Sequence, residues 1–396
     1  MKNSPRSSGT SASDNSFFEA LEDRVLYAGD PLTLLPDSGA GGRSGSAVAT
    51  CGNLIASGAY LSEVNGVTRA GAVRIYDALT GTLLRTITKP LAVSGDYFGS
   101  ALAFTADGFL IVGAKGADGG VGAAYLVDMS DGSIAATIKN PTPALGDVFG
   151  ASVAAVGTNI LIGAMGDDTA ASNAGAAYLF DRSGNVLTSY FSPKSGTNQY
   201  FGNTVASLLD SPVVGEYYGS RLGIRSGSVY VFDATLTGTI RTPTQIFDNP
   251  TPACDDHFGV SITTFGTQLF VGADGDDTAA TNAGAAYVID TITGNVTQTL
   301  LNPTPAYNDY FGRSLAANAT MVVVGSPADD FGAMDSGQVH VFDSATGLLL
   351  RTLNNPAPSA GENFGAAVAL FGDVVIVGSP GNDLSGTDAG AVYVFL

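Results

Sequence analysis

Hydrophobic and polar residues alternate along the chain in short runs that begin at Phe-Gly and recur at a nearly constant spacing. The anchoring phenylalanines lie 51–57 residues apart, at Phe98, Phe149, Phe201, Phe258, Phe311 and Phe364. A seventh copy begins near Ser44, where RSGSAVA aligns with YFGSALA but the phenylalanine is missing. A regular period of this length indicates a repeat architecture, in which each unit supplies one supersecondary element.

Each repeat carries four strand signals, namely FGASVAAVG-like, ILIGA-like, GAAYLFD-like and TGLLLRTLNNP-like runs. These runs are short, rich in β-branched and aromatic residues, and bounded by Gly, Asp or Pro, which is typical of strands. Four strands per unit and seven units predict an all-β chain that folds as a seven-bladed β-propeller with four-stranded blades.

The two ends of the chain predict how the ring closes. The last repeat stops at Leu396, after its third strand, and a spare strand-like segment, DPLTLLPDSG at 30–39, precedes the first repeat. We predict that this segment pairs as the outer strand of the last blade, because an uncovered sheet edge invites aggregation. The predicted organisation is a propeller over 30–396 behind a Ser-rich, disordered segment over 1–29.

The Phe-Gly at the start of each unit and the Gly-Ser-Pro or Gly-Ala after its second strand resemble the two halves of the FG-GAP repeat. That repeat builds the seven-bladed propeller of integrin α subunits and of many bacterial surface proteins, and the resemblance covers about 44–396. It implies a non-enzymatic binding or adhesion protein outside the cell or at its surface. Integrin-type blades carry a D-x-D-x-D-G calcium loop between strands 1 and 2, whereas the connections here, such as AVGTN and TFGTQ, are nearly free of acids.

The N-terminal stretch FFEALEDRVLYAGD resembles the LEPR-type motif of proteins exported by planctomycetes and some other Gram-negative bacteria. The matching residues are Leu21, Glu22, Arg24, Leu26 and Ala28, and Asp23 stands where proline is usual. The alternative is a frayed amphipathic tail. The resemblance implies export, although the segment lacks the apolar stretch of a secretory signal.

Charge and composition narrow the choice of partner. The formal net charge is −19, from 36 acidic and 17 basic residues. Nucleic acids and anionic membranes require clustered Lys and Arg, so neither is an expected partner, and no apolar run is long enough to span a membrane. The two cysteines, Cys51 and Cys254, form no disulfide framework or zinc site. We expect a monomer that requires no cofactor, with calcium as a candidate ligand.

Strand direction alternates within a blade, so the connections between strands 2 and 3 (2–3 loops) and between successive blades (4–1 loops) share one face. Both sets are long and acidic, which favours this face for function. Hard cations such as calcium bind clustered carboxylate and amide oxygens. The candidate ligands, one set in each of four 2–3 loops, are Asp167, Asp168 and Asn173; Asp276, Asp277 and Asn282; Asp329, Asp330 and Asp335; and Asn382, Asp383 and Asp388. The alternative is that the first acid of each loop caps a turn and the others are solvated.

Two blades break the repeat pattern in their 2–3 loops. Blade 1 reads GAYLSEVNGVTRAG and blade 4 reads GEYYGSRLGIRSG where their neighbours carry the acidic loop. Tyr and Arg are enriched at binding hot spots, so the candidate ligand-binding residues are Tyr60, Arg69, Tyr217, Tyr218, Arg221 and Arg225. Drift among repeats is the alternative explanation.

The aspartates of the D-x-F-G sequences, Asp96, Asp147, Asp256 and Asp309, are predicted to fix the 4–1 turns, and the phenylalanines are predicted core anchors. No nucleophile elbow, P-loop or metalloprotease motif occurs. We therefore expect a propeller that binds a protein or a glycan through the acidic face. Two alternatives stay open: a hydrolytic propeller that uses paired aspartates in a central pocket, and a purely structural envelope protein.

Overall fold

Seven β-sheets surround a central axis in the computed structural model, which describes residues 31–36, 40–221 and 225–396. The LEPR-like motif at residues 21–28 lies outside the described residues. Each sheet is a blade with four antiparallel strands, which follow one another in sequence except where the N-terminal strand completes the last blade. The prediction of an all-β, seven-bladed propeller is confirmed.

The strands of the first four blades follow the four signals of each repeat. Blade 1 contains Ala47–Cys51, Leu54–Ala59, Ala72–Asp77 and Leu83–Thr88. Blade 2 contains Phe98–Phe104, Phe109–Ala114, Ala123–Asp128 and Ile134–Lys139, with one helical turn at Ala117–Gly120. Blade 3 contains Ser152–Val156, Asn159–Ala164, Ala176–Phe180 and Val186–Tyr190. Blade 4 contains Phe201–Leu208, Ser211–Glu216, Ser228–Val231 and Gln245–Asp248.

The remaining blades repeat this order. Blade 5 contains Ser261–Phe265, Gln268–Ala273, Ala285–Asp290 and Asn295–Leu301. Blade 6 contains Ser314–Ala317, Met321–Ser326, Gln338–Asp343 and Leu349–Asn354. Blade 7 contains Ala367–Phe371, Val374–Ser379 and Ala391–Phe395, and the N-terminal strand Leu32–Leu34 completes it.

The ring closes through that N-terminal strand, as the sequence predicts. Leu32–Leu34 pairs antiparallel with Ala391–Phe395, with Leu34 opposite Val392. Leu34 is 2% exposed and belongs to a hydrophobic cluster with Ile55 of blade 1 and Ile376 of blade 7. The first strand of the chain therefore fastens the last blade to the first.

Blade 3 has a fifth strand, which the sequence pattern does not indicate. Gly238–Ile240, from the long connection between strands 3 and 4 of blade 4, pairs in parallel with Val186–Tyr190. The Thr188 hydroxyl donates to the Leu236 carbonyl at 2.7 Å, and the Phe191 N–H donates to the Ile240 carbonyl at 3.1 Å. The neighbour's loop thus covers the outer edge of blade 3.

The Phe-Gly phenylalanines anchor the core between adjacent blades, as predicted. All six are 0% exposed. Phe149, for example, packs in one cluster with Ile111 of blade 2 and Ile160 of its own blade. Because each cluster joins two neighbouring blades, the propeller core is a continuous ring of interfaces between blades.

Two glycines per repeat allow adjacent blades to approach closely. A Cβ atom on the strand-2 glycine of one blade would lie 2.0–2.5 Å from the carbonyl oxygen of the Phe-Gly glycine in the next blade, or of Gly45 in blade 1. This contact recurs at all seven interfaces, at Gly58, Gly113, Gly163, Gly215, Gly272, Gly325 and Gly378. The Phe-Gly glycine of one blade (Gly45 in blade 1) and the strand-2 glycine of the blade before it therefore meet in one backbone contact at each interface.

Candidate functional site

The residue before each blade-start Phe-Gly (Ser44-Gly45 in blade 1) adopts a left-handed backbone conformation in all seven blades. The φ values are 48–61° at Arg43, Tyr97, Val148, Tyr200, His257, Tyr310 and Asn363. Such values are uncommon outside glycine and carry a conformational cost for large side chains. The seven positions hold five different residue types, although the flanking motif is nearly constant.

Four of these residues, Arg43, His257, Tyr310 and Asn363, line a cavity of about 710 Å³ on the face of the 2–3 and 4–1 loops, which we call the mouth. The mouth adjoins the axial channel lined by the first strands, because Ser46, Arg313 and Ala366 line both. Three positions per repeat supply most of its lining: the residue before Phe-Gly, the residue after it, and the second residue after the strand-2 glycine. The charged and aromatic side chains in this lining are Arg43, Tyr60, His257, Asp274, Tyr310, Arg313 and Asp335.

On the side of blades 5 and 6, a buried carboxylate holds two basic side chains. Asp274 is 2% exposed. Its Oδ1 lies 2.8 Å from His257 Nδ1, and its Oδ2 accepts from Arg313 Nη1 at 2.8 Å. Burial alone would raise the pKa of Asp274, but the hydrogen bond from His257 and the charge of Arg313 hold this pKa below its ordinary value. Asp274 is therefore a fixed anion, unsuited to act as a general acid.

Aromatic rings extend the wall of the mouth towards blade 4. Tyr217 and Tyr218 stack with ring centroids 4.4 Å apart, and Tyr200 stacks on Tyr217 at 5.7 Å. The His257 ring meets Tyr218 edge-on at 5.0 Å. The predicted residues Tyr217 and Tyr218 thus join a larger aromatic cluster that reaches the mouth through His257.

A second cluster lies on the side of blades 1 and 2. The predicted residue Tyr60 lines the mouth and meets Tyr97 edge-on at 5.8 Å. The Lys115 ammonium lies 5.3 Å from the centroid of the Tyr60 ring. The exposed residue Arg69 adjoins this cluster, since its carbonyl accepts the Tyr97 N–H at 3.2 Å. We call Tyr60, Tyr97, Lys115 and Arg69 the Tyr60 cluster.

The two predicted arginines of blade 4 are engaged in ion pairs. Arg221 Nε donates to both carboxylate oxygens of Asp248 at 2.9 Å. Arg225 lies over the Tyr218 ring at 5.3 Å and 3.5 Å from Asp255. Arg225 therefore borders the aromatic cluster, whereas Arg221 is held at the end of the outer strand of its blade.

In three of the four candidate calcium loops, the first member is a buried carboxylate that satisfies protein donors. Asp167 Oδ1 accepts the Thr169 N–H at 2.8 Å, and its Oδ2 accepts the Tyr178 hydroxyl at 2.6 Å. Asp276 repeats both bonds, with Thr278 and Tyr287, and Asp329 accepts the Phe331 N–H at 2.8 Å. In blade 7 the equivalent Asn382 contacts Glu362 and Tyr393. These contacts agree with the turn-capping alternative for the first member.

The second and third members form a repeated turn. Asp168 accepts the Asn173 N–H at 2.6 Å, and Asn173 has a φ of 48°. The same bond joins Asp277 to Asn282, Asp330 to Asp335 and Asp383 to Asp388, and each of these third members has a positive φ. Asn and Asp are the residues that best tolerate this conformation. In the part of the chain that the structure describes, no group of three or more His, Cys, Asp or Glu side chains converges on a metal position.

The D-x-F-G aspartates fix the 4–1 turns, as predicted. Asp147 Oδ2 accepts the Ala144 N–H at 2.7 Å and the Asn140 side-chain amide at 2.7 Å. Asp256 and Asp309 make the same pair of contacts, and Asp96 accepts the Val93 N–H at 2.7 Å. These hydrogen bonds fix the turns that lead into the left-handed residues, four of which line the mouth.

In blade 4 the carboxylate that accepts the tyrosine hydroxyl comes from strand 2, whereas in blades 3 and 5 it comes from the 2–3 loop. Glu216 stands where other blades have a small residue, and its Oε2 accepts the Tyr230 hydroxyl at 2.6 Å. Its Oε1 is buried and has no hydrogen-bond partner among the described residues. Burial raises the pKa of Glu216 to about 7, which outweighs the hydrogen bond from Tyr230.

These carboxylates predict that the protein is most stable at mildly acidic pH. Burial also raises the pKa of Asp256 and of Asp309 to about 6. The pKa in the unfolded chain is the ordinary value, 3.8 for Asp and 4.5 for Glu. A carboxyl group whose pKa is higher in the folded protein contributes its full stability below the unfolded-state pKa. That contribution is lost as the pH rises through the folded-state pKa. We expect the urea midpoint to fall between pH 5 and pH 8.

Glu216→Gln tests the largest of these contributions. The variant keeps an acceptor for Tyr230 and cannot ionise, so it should be more stable than the wild type at pH 8 by roughly 2–3 kcal/mol. Asp343→Asn is the control, because hydrogen bonds from Thr346 hold the pKa of the exposed Asp343 below its ordinary value, outside this pH range. Equal pH slopes for the wild type and Glu216→Gln would contradict the assignment.

The sequence analysis missed four residues that line the mouth and two, Tyr97 and Lys115, that lie beside it against Tyr60. Tyr97, Lys115, His257, Asp274, Tyr310 and Arg313 were not among the candidate ligand residues. The signal that could have found them is the alignment of the repeats with one another. They occupy positions that differ from blade to blade beside positions that stay constant.

The fold defines a seven-bladed β-propeller, and the family comparison agrees. The FG-GAP repeat family matches the chain at residues 85–127, 140–180, 252–289, 296–342 and 356–395. These segments cover more than half of the chain, so the chain belongs to the FG-GAP repeat family. All of blade 4 and the first three strands of blade 1 lie outside the matches, and the 2–3 loops of both blades depart from the repeat.

FG-GAP repeats are typical of extracellular proteins, and propellers of this family are generally not enzymes. No curated protein matches the chain. Among the described residues, no helix has the length and apolar composition needed to cross a bilayer.

Proposed function

We propose that this FG-GAP propeller is a non-enzymatic binding protein that engages a protein or glycan partner outside the cell through the mouth and its surrounding loops. The observation that carries the proposal is the convergence on one cavity of three positions that vary from repeat to repeat. The cavity volume of about 710 Å³ lies within the usual range for ligand sites. Its aromatic and arginine side chains are residue types enriched at binding hot spots.

The rim of the mouth also favours a large partner. The 2–3 and 4–1 loops expose apolar side chains to between 55% and 79%, at Leu145, Tyr307, Phe331, Met334 and Leu384. These residues stand among loop carboxylates. The proposal places these side chains in the contact surface for a macromolecular partner.

The proposal is tested by binding to cell envelopes of the producing organism. The double variant Tyr60→Ala, Tyr310→Ala removes two rings from the mouth and should lower the affinity at least roughly tenfold, as expected for hot-spot residues. Ile292→Ser, on a 76% exposed residue of the opposite face, is the control and should bind as the wild type does. Loss of binding in the control but not in the double variant would contradict the proposal. Thermal unfolding of each variant checks that it is folded.

Calcium assistance is a separate proposal. Asp168 and Asp277 each use one carboxylate oxygen in the loop turn, so the second oxygen is left for a cation. If calcium binds there, millimolar calcium should raise the melting temperature relative to chelator, because a ligand specific for the folded state stabilises it. The variant Asp168→Asn, Asp277→Asn should lose that rise. An unchanged melting temperature in the wild type would contradict calcium binding at these loops.

A further inference from the structure

The Tyr60 cluster holds a cation that lacks a protein counter-ion. Acidic residues outnumber basic ones by 36 to 17, and most basic residues near the mouth are paired. Arg43 contacts Asp388, Arg225 contacts Asp255 and Arg313 contacts Asp274. Lys115, by contrast, has no carboxylate within 4.0 Å in the described part of the chain.

Lys115 is also partly withdrawn from water. It is partly buried beside Tyr60, and this burial lowers the pKa of Lys115 with no acidic group offsetting the effect. A desolvated charge without a partner is unfavourable. Lys115 does not line the mouth itself but lies against Tyr60, which does. An anion bound beside Tyr60 would restore the missing interaction, and such an ion pair is stronger in a partly buried site than at an open surface.

The rings beside Lys115 indicate what carries that anion. Tyr60 lines the cavity and makes an edge-to-face contact with Tyr97, and the Lys115 ammonium lies over its ring. Tyr310 and the amide of Asn363 line the same cavity. A sugar acid combines a carboxylate with an apolar ring face and hydroxyl groups, so one residue of it can satisfy all three kinds of contact. A cavity at the end of the axial channel suits a short oligosaccharide better than an extended polypeptide, which usually binds along an open groove or sheet edge.

We infer that the Tyr60 cluster is a subsite for a carboxylate-bearing sugar, and that the ligand of the mouth is an acidic oligosaccharide. The inference rests on the proposed function and names its ligand class. Lys115 binds the carboxylate, and Tyr60 packs against the sugar ring. The exposed Arg69, whose backbone carbonyl contacts Tyr97, adds positive charge to the cluster.

Calorimetric titration with short oligogalacturonate, oligoalginate and hyaluronan fragments tests the inference, each beside its carboxyl-reduced neutral counterpart. At least one acidic fragment should bind, and its neutral counterpart should bind roughly tenfold more weakly or not at all, given the usual strength of hydrogen bonds to charged groups. Lys115→Met should lose the preference for the acid. Methionine is the natural residue at this position in blade 3, Met165, so the variant should fold, and its melting temperature verifies this.

Lys194→Met is the matched control, because it removes the same charge from an exposed lysine of blade 4 on the same face. It should bind the acidic fragment as the wild type does. Equal binding of acidic and neutral fragments would overturn the inference. So would an equal effect of both lysine variants, an equally tight complex with a polyglutamate peptide, or no binding of any acidic fragment at millimolar concentration.

Failure of this inference can be told apart from failure of the proposed function. If the acidic fragments do not bind but Tyr60→Ala, Tyr310→Ala still lowers binding to cell envelopes, the mouth is a binding site and the ligand class is wrong. If envelope binding is independent of the mouth, the proposed function itself is wrong.

Discussion

Gly163→Ala is expected to lower the free energy of unfolding by about 4 kcal/mol or more, among the largest effects of a single methyl group. The new Cβ atom would lie 2.0 Å from the Gly202 carbonyl oxygen and 2.3 Å from the Ser152 hydroxyl. The hydroxyl can rotate away, but the carbonyl belongs to the backbone of the next blade, so relief requires the two blades to separate. Urea denaturation followed by circular dichroism measures the loss.

The matched control is Gly266→Ala. Gly266 has a positive φ of 57° but no atom within 4 Å of the position of a Cβ. The control therefore carries only the backbone cost of a left-handed alanine, about 1–2 kcal/mol. If both variants lose equal stability, the contact between blades is not what requires glycine in the repeat.

Leu34→Ala is the second substitution with a large expected effect, because it acts where the ring closes. Leu34 is 2% exposed among side chains of blades 1 and 7, and removal of such a leucine costs about 2–5 kcal/mol. Detachment of Leu32–Leu34 also uncovers the edge of Ala391–Phe395, which is then open to pairing with another chain. We expect a lower urea midpoint and a concentration-dependent increase in aggregation by light scattering.

Leu35→Ala is the control that distinguishes loss of ring closure from a general effect of truncating a side chain in the N-terminal segment. Leu35 is the next residue and is 38% exposed, so its truncation should change stability by less than about 0.5 kcal/mol. Equal midpoints for Leu34→Ala and Leu35→Ala would show that the terminal strand does not hold the ring.

Much of the fold could be predicted from the sequence, because each blade repeats local signals. The spacing of the Phe-Gly dipeptides gave the number of blades, and the spare segment before Ser44 gave the closing strand. The fifth strand of blade 3 was not predictable in the same way. Gly238–Ile240 is three residues long, and it becomes a strand only because the edge of Val186–Tyr190 lies beside it.

The site could be predicted only in part, since its residues come from different blades. The departures of blades 1 and 4 from the repeat indicated Tyr60, Tyr217 and Tyr218, which the structure places at or beside the mouth. His257 and Arg313 lie 56 residues apart, and only the ring geometry brings both to Asp274. Charge counting indicated an acidic face, but it could not reveal that Lys115 lacks a carboxylate partner.

The central claim is that the mouth of the propeller is the ligand-binding site. A crystal structure of the chain in complex with the ligand that binds most tightly tests this claim most directly. The account predicts ligand density in the cavity between Tyr60 and Tyr310, with an anionic group within hydrogen-bonding distance of Lys115 Nζ. Density on the opposite face, around Ile292, or on the outer strands of the blades would contradict it.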